Sequence, residues 1–451
     1  MLPDDVLLEI FDIYRTDSYT YPGIWKWDLL VQVCPRWRQI VFASPRRLYL
    51  QILCTHRTPV RKNISIWPAL PIVIIYNPSG GAFTPNDEDN VIAALEHPDR
   101  VSEVNLDITG LQLRKIAMAM QKPFSALRRV EILSLDVNAP VLPAKFLGGS
   151  APCLHTFSLH RIPFPSLPTL LLSASDLVAL NLYKIPPSGY ISPNAMVVCL
   201  ATLPRLRRFH VGFQSATSRP DRVRPPPVTR TVLPALTYFY FRGASEYLED
   251  LVARIDGPQL DQVNIKYLNQ LVDFQVARVT EFIDRSLGPK LTLCTQAHVT
   301  FSSDEVSFTM YPPPRDQPDQ GPTHVKTVIL CKGMTWQVSH MAQVLRHFFA
   351  ALANTTHLRL DGTPENECQL EAMDEIEWLH FLHQFSNVRS LTVYSELIGQ
   401  VAPTLNDITA ETAADVMPSL DLICIDGNSK TSLEKYLSAR RLSGRPVTLN
   451  G

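Results

Sequence analysis

Three residues of the stretch "EIEWLHFLH", Glu377, His380 and His383, have types and spacing suited to metal chemistry. Steps of three set them on one helical face, with Asp374 a turn earlier. A Glu-x-x-His pair of this kind holds metal in four-helix carboxylate bundles, but only with a second such pair and two further carboxylates on facing helices. The chain has no second Glu-x-x-His, so the expectation is that no metal is bound. Nucleophilic chemistry finds no better footing. There is no Gly-x-Ser-x-Gly elbow, and Ser150 in "GGSAP" leads into a proline rather than a helix. "NPSGG" (77–81) follows the strand-like "IVIIY" but lacks the lysine and the glycine spacing of a phosphate loop. The eight cysteines lie at least twenty positions apart with no Cys-x-x-Cys, which points to reduced thiols rather than zinc or a disulfide framework. The expectation is a chain without cofactors that is not an enzyme.

Charge is concentrated in two places. Seven arginines (205, 207, 208, 219, 222, 224 and 230) fall between Arg205 and Arg230 against one acid, Asp221, around the triple proline 225–227. Seven acids and no Lys or Arg lie between Asp361 and Glu377. Arginine offers a bidentate fork to carboxylate or phosphate, and a long Pro-rich excursion between repeats is where solenoids often bind. Arg219, Arg222, Arg224 and Arg230 are therefore candidate target-binding residues, with residues 212–235 expected to form an exposed loop. The acidic segment is a competing intramolecular partner for them.

The elements that must carry these residues follow a repeat. Apolar residues at positions one, four and six recur as "VSEVNL" (101–106), "LRRVEI" (127–132), "LHTFSL" (154–159), "LVALNL" (177–182) and "LRRFHV" (206–211). The pattern continues as "LTYFYF" (236–241), "LDQVNI" (260–265), "VKTVIL" (325–330), "VRSLTV" (388–393) and "LDLICI" (420–425), with weaker copies at 296 and 355. Successive starts are 23 to 36 residues apart, the period of strand–helix repeats that share one elongated core. The middle residues (Val104, Val130, Phe157, Leu180, Phe209, Phe239, Val263, Val328, Leu391, Ile423) are expected to be buried in adjacent parallel strands. Helical stretches intervene, two with clear starts: Thr84-Pro85 with Asp87 three positions after Thr84, and Ser192-Pro193. The asparagine of a regular leucine-rich repeat is missing from nearly every copy. A Rossmann-like array is the alternative, weakened by the absent phosphate loop.

Ahead of the repeats, "MLPDDVLLEIF" reads as a helix rather than a secretory signal, since acids interrupt its apolar residues and no basic segment precedes them. Val6, Leu7, Ile10, Phe11 and Tyr14 form an apolar stripe. A polar and aromatic insert follows, and then "WDLLVQVCPRWRQIVF", which Pro35 should break after Cys34. Two or three short helices in fewer than fifty residues make a poor independent core and a good half of an interface. Overall charge gives no pull toward nucleic acid or anionic membrane: 42 basic residues stand against 43 acidic ones, a net of −1. The 37 prolines against 18 glycines suit many short, stiff connections.

"LPDDVLLEIF" followed by "LVQVCPRWRQIVF" resembles the F-box: Leu-Pro, an amphipathic helix ending Ile-Phe, then Val-Cys-x-x-Trp. The departure is the insert over residues 12–25, a kind familiar in the large fungal families of F-box proteins, which this chain resembles along its length. The resemblance implies that Leu2, Pro3, Leu7, Ile10, Phe11, Leu29, Val33, Cys34 and Trp37 bind a Skp-family adaptor of a cullin–RING ubiquitin ligase. The expected fold class is α/β. A short all-α F-box-like module (1–48) leads to a connecting segment with the first solenoid units (49–100). An irregular leucine-rich-repeat-like αβ solenoid with a curved parallel sheet (101–451) completes the chain. The implied function is a substrate-recruiting adaptor, intracellular, cytoplasmic or nuclear, holding an unknown protein target with the solenoid. The alternatives are a repeat scaffold without a ligase and a nucleic-acid-binding repeat protein. The latter is disfavoured because aromatic residues do not alternate with basic ones along the arginine run.

Overall fold

The structure, a computed structural model, describes residues 2–16, 27–58, 60–77, 83–216, 229–268, 276–313, 323–331, 334–348, 352–362, 375–409, 412, 415–426 and 433–450. It is a mixed α/β protein whose strands pair mainly in parallel. Two compact units divide the chain, Met1–Leu177 and Val178–Gly451.

The first unit starts with three helices, α1 (Asp4–Thr16), α2 (Trp27–Val33) and α3 (Pro35–Ala43). There follow β1 (Ile52–Cys54), α4 (Val60–Ile66), β2 (Ile72–Tyr76), α5 (Pro85–Leu95), β3 (Val101–Ile108), α6 (Gly110–Ala119), β4 (Arg129–Ser134), β5 (Thr156–His160) and α7 (Leu167–Leu171). Strands β1 to β5 pair in sequence order, all parallel. Register aligns Cys54, Ile74, Val104, Val130 and Phe157 into one rung, and every member is fully buried. No single strand–helix pair could cover such a rung, so stacking supplies its core. Helix α5 begins as its sequence anticipates. The Asp87 N–H donates to Thr84 Oγ1 (3.2 Å) and the Thr84 N–H to Asp87 Oδ2 (2.9 Å), with Pro85 at the first helical position.

The second unit contains β6 (Ala179–Ile185), α8 (Pro193–Leu200), β7 (Arg208–Phe213), β8 (Thr231–Val232), β9 (Tyr238–Gly243), α9 (Ser245–Val252), β10 (Ile255–Asp256) and β11 (Gln262–Tyr267). It continues with α10 (Ala277–Leu291), β12 (Gln296–Phe301), β13 (Glu305–Tyr311), β14 (His324–Leu330), α11 (Met334–His347) and β15 (His357–Gly362). Helix α12 (Glu375–Leu382), β16 (Ser390–Tyr394), α13 (Ser395–Asn406), β17 (Leu422–Asp426), α14 (Glu434–Leu442) and β18 (Thr448–Asn450) close the chain. The main sheet of this unit runs β6-β7-β9-β11-β14-β13-β12-β15-β16-β17-β18. Helices join to each other as well as to strands. The carboxylate of Glu249 on α9 accepts the Arg278 and Val279 N–H groups (3.1 and 2.9 Å) at the start of α10, satisfying donors that a helix leaves open.

All ten middle residues of the repeat are buried, but two features differ from the sequence reading. First, one antiparallel strand interrupts the parallel order. Strand β13 pairs antiparallel with β12 on one side and β14 on the other. The link of Ser302, Ser303 and Asp304 is far too short for a crossover, so the chain turns back, with the Ser302 N–H donating to Glu305 O (3.0 Å). As a result β14, not β12, lies beside β11. Second, the rung from Leu180 through Phe209, Phe239 and Val263 continues at Val325 rather than Val328. Val328 pairs with Lys266 on the other pleat. A two-residue period makes that choice of face all or nothing.

Candidate functional site

Two surfaces gather the residues singled out by sequence. The first is on the N-terminal helices. Pro3 precedes α1, its carbonyl accepting the Leu7 N–H (3.1 Å), and Asp4 and Asp5 fill the first turn. Cys34 ends the α2 segment in extended conformation and caps α3, its Sγ accepting the Trp37 N–H (3.5 Å), with Pro35 at the first helical position. Helix α1 therefore extends through Asp12–Thr16, the first part of the presumed insert; residues 17–26 lie outside the described residues.

The apolar stripe read on α1 divides into two faces. Leu7 and Phe11 are buried, and Phe11 meets half-buried Trp37 edge-on with ring centroids 4.9 Å apart. Val6, Ile10 and Ile13 form a second stripe, exposed by 38%, 42% and 62%, with Tyr14 exposed beside it. On α2, Leu29 and Val33 repeat the four-residue step and are also exposed, as is Leu2. Of the twenty-one large apolar side chains exposed among the described residues, seven belong to residues 2–33, far more than this segment's share of the chain. Charge clamps hold the module. Arg36 bonds Asp4 (2.5 Å) and the Leu2 carbonyl (2.5 Å), and Arg47 bonds Glu9 (2.5 Å) and Asp12 (3.1 Å). Inside, the Trp27 Nε1–H donates to Gln51 O (2.7 Å), fixing α2 against the chain that enters β1.

The second surface is the open face of the sheet in the second unit, where residues alternate with the buried rungs. A groove of about 800 Å³ crosses the starts of β6, β7, β9, β11 and β14. Tyr183 and Tyr238 supply rings, Asn181 and Gln262 amides, Arg208 a guanidinium, and Thr237, Asp261 and Thr323 further polar groups. Asp261 is engaged by Lys290 (2.6 Å). Tyr183 shares its pleat with Asn181, and a bulge follows: register slips between Leu182 and Ile185, setting two residues against Gly212, and Lys184 takes φ 49°. The Tyr183 ring meets His210 at a tilt (centroids 3.8 Å, planes 50° apart), and His210 stacks on Tyr240 (3.7 Å, planes 15° apart). Burial pushes the Tyr240 phenol up, so it stays protonated as a donor.

Four basic residues share the rest of this face: Arg242, Lys266 and Lys326 on the successive strands β9, β11 and β14, and Arg359 farther along on β15. Lys266 pairs with Glu305 (2.5 Å), and Arg359 lies 4.5 Å over the Tyr394 ring. His298 is held below the ordinary histidine range, chiefly by burial and then by Arg359, against the pull of Asp361.

The arginine run is divided between these settings. Arg208 lies in the groove, and Arg230 is exposed with its Nε donating to Ala253 O (3.3 Å). Arg219, Arg222 and Arg224 lie outside the described residues, as does the acidic stretch 363–374. His380 on α12 and His383 just after it are exposed, and among the described residues no three His, Cys, Asp or Glu side chains converge as metal ligands. Burial pushes the Cys54 and Cys331 thiols up to about 12 and those of Cys199 and Cys294 to about 11, which makes them poor nucleophiles. Among the described residues no helix is long and apolar enough to cross a membrane. The groove escaped sequence reading because its walls come from five strands spread over some 140 residues.

No protein-family model matches the chain, and no curated protein is significantly similar to it. Among solved structures it is similar to the leucine-rich repeat-containing protein LegL7 from Legionella pneumophila, with 12% identity over 88% of this chain and 99% of that one and a TM-score of 0.28.

Proposed function

We propose that the chain is a non-enzymatic, substrate-recruiting adaptor of a Skp–cullin–F-box ubiquitin ligase, acting in the cytoplasm or nucleus. One observation carries the reading: the residues matching the F-box pattern separate cleanly by role. Leu7 and Phe11 build the module's own core, with Trp37 against them. Leu2, Ile10, Leu29 and Val33 stay exposed, with Val6 and Ile13 beside Ile10 on α1. An apolar face of this density on so small a module favours a partner. In this reading Cys34 and Pro35 orient α3 and the exposed residues meet the Skp-family adaptor.

The target is a protein segment held on the open sheet face of the second unit. Asn181 and Gln262 offer paired donor and acceptor groups to a peptide backbone, the tyrosines offer apolar walls, and Arg208 offers a fork for an acidic residue. Arg219, Arg222, Arg224 and Arg230 extend the same basic run. Capture of the full chain from cells should bring down the adaptor, a cullin–RING core and targets. Arg208→Glu should keep the first two and lose the targets. Loss of the adaptor in that variant, or targets retained at wild-type level, would refute the division of labour. A repeat scaffold without a ligase is the second reading, favoured if wild type captures targets and no adaptor.

A further inference from the structure

Five Ser-Pro or Thr-Pro pairs occur in the chain, at Ser44, Thr58, Thr84, Ser192 and Thr363. Such pairs are the acceptor sites of proline-directed protein kinases, which also favour a basic residue three positions on. Three of these hydroxyls are in use. Thr84 and Ser192 cap α5 and α8, and Thr58 Oγ1 accepts from Thr55 Oγ1 (3.2 Å). Thr363 lies outside the described residues. Ser44 differs. Among the described residues its hydroxyl has no hydrogen-bond partner, and Ala43, Pro45, Arg46, Arg47 and Tyr49 around it are exposed. The sequence Ser44-Pro45-Arg46-Arg47 places Arg47 at the basic position.

Arg47 also holds the module together. It bonds Glu9 (2.5 Å) and Asp12 (3.1 Å), tying the later turns of α1 to the turn after α3. In that turn the Leu48 N–H donates to Ser44 O (3.1 Å), a helical step that brings Ser44 and Arg47, three residues apart, to one side. We infer that Ser44 is a phosphorylation site whose phosphate takes Arg47 away from α1. The transfer joins Ser44 Oγ to the γ-phosphorus of ATP, breaks the bond from that phosphorus to the β-phosphate oxygen and releases ADP. The hydroxyl proton goes to the kinase's base. A phosphate dianion offers the Arg47 fork three acceptors, whereas its present ion pairs are open to solvent and hold weakly. The phosphate also adds negative charge at the C-terminal pole of α3 and repels Glu9 and Asp12. Leu7 and the Arg36–Asp4 pair still hold the first turns of α1, but the turns carrying Ile10 and Ile13 loosen. On the ligase reading, on which this consequence rests, phosphorylation lowers affinity for the Skp-family adaptor.

The test treats the purified full chain with a cyclin-dependent protein kinase and Mg-ATP and maps phosphate by mass spectrometry. Ser44 should be modified ahead of Thr58, Thr84 and Ser192. A folded chain left unmodified at Ser44, or modified faster at any of those three, would overturn the assignment. Hydrogen exchange then compares treated and untreated chains. The amides of residues 9–16 should exchange several-fold faster after phosphorylation while those of β3 and β4 stay unchanged, and Ser44→Ala should show no response. The double variant Glu9→Gln, Asp12→Asn removes the partners of Arg47 without altering the kinase motif. It should exchange faster from the start and respond little to phosphorylation. Unchanged α1 amides in the phosphorylated wild type, or an undiminished response in the double variant, would refute the capture of Arg47. In titration calorimetry the phosphorylated chain should bind a Skp-family adaptor about fivefold more weakly, and equal affinity of the two forms would overturn the regulatory role. An unmodified chain that binds no adaptor refutes the ligase reading instead, and the exchange of α1 then decides on Ser44.

Discussion

Two adjacent residues of α1 allow the division between core and interface to be measured. Phe11 is 1% exposed and packs its ring against Trp37, whereas Ile10 is 42% exposed. Phe11→Ala removes a buried ring and leaves a cavity between α1 and α3, which costs about 3–5 kcal/mol. A three-helix module of this size has little more than that to lose, so α1 should open locally. Ile10→Ala removes a side chain that touches little and should change stability by no more than about 0.5 kcal/mol. In adaptor binding the order reverses in cause. Ile10→Ala should weaken the folded protein's affinity by roughly 2 kcal/mol, about thirtyfold, as truncation of an interface anchor does. Hydrogen exchange over residues 4–43 reads the stability arm, and titration calorimetry with a Skp-family adaptor reads the binding arm. If Ile10→Ala exposes the module's amides as Phe11→Ala does, or binds the adaptor as tightly as wild type, the assignment of faces on α1 is wrong.

Three further outcomes are expected. Thr84→Ala should destabilise the first unit by about 1 kcal/mol in urea unfolding, through loss of the bonds that Thr84 Oγ1 makes with the Asp87 N–H and carboxylate at the start of α5, while the Thr84 N–H keeps its bond to Asp87. Cys54, Cys199 and Cys294, buried with raised pKa values, should escape maleimide at neutral pH for as long as the fold is intact, while partly exposed Cys153 is modified. For His298 the folded pKa lies below the ordinary value of about 6.5, so the unfolded chain takes up its proton first. Stability should be unaffected above that pH and should fall as pH drops through the window down to the folded value. His298→Gln should flatten this slope; a steeper acid transition in the variant would refute the sign.

The strand copies were legible because each shows its inward residues at fixed spacing, and stacking then buries all of them. Strand β13 stands outside the repeat pattern although Val306, Phe308 and Met310 alternate cleanly and are fully buried. It lacks the leading apolar residue of the repeat, being the return arm of a hairpin rather than a new unit. The slip from Val328 to Val325 has the same origin: "HVKTVIL" has apolar residues on both pleats, and pairing with β11 decides between them. On α1, one apolar stripe by composition proved to be two faces, because Trp37 and the helices beside it cover only Leu7 and Phe11. The groove was least legible. Sequence sets Arg208 among other arginines, whereas the sheet sets it across from Tyr238, with Tyr240 and Arg242 following on the next strand. Arg208 thus meets an aromatic neighbour across strands and not along the chain.

The central claim is that the first fifty residues hold a Skp-family adaptor through their exposed apolar face. The direct measurement is the mass, by light scattering after size exclusion, of the purified full chain mixed with a purified Skp-family adaptor. The account predicts a one-to-one complex for the wild type and separate species for the double variant Ile10→Glu, Val33→Glu, which adds charge only at exposed positions and should melt like wild type. A wild-type chain that elutes apart from the adaptor, or a double variant that still forms the complex, would contradict it.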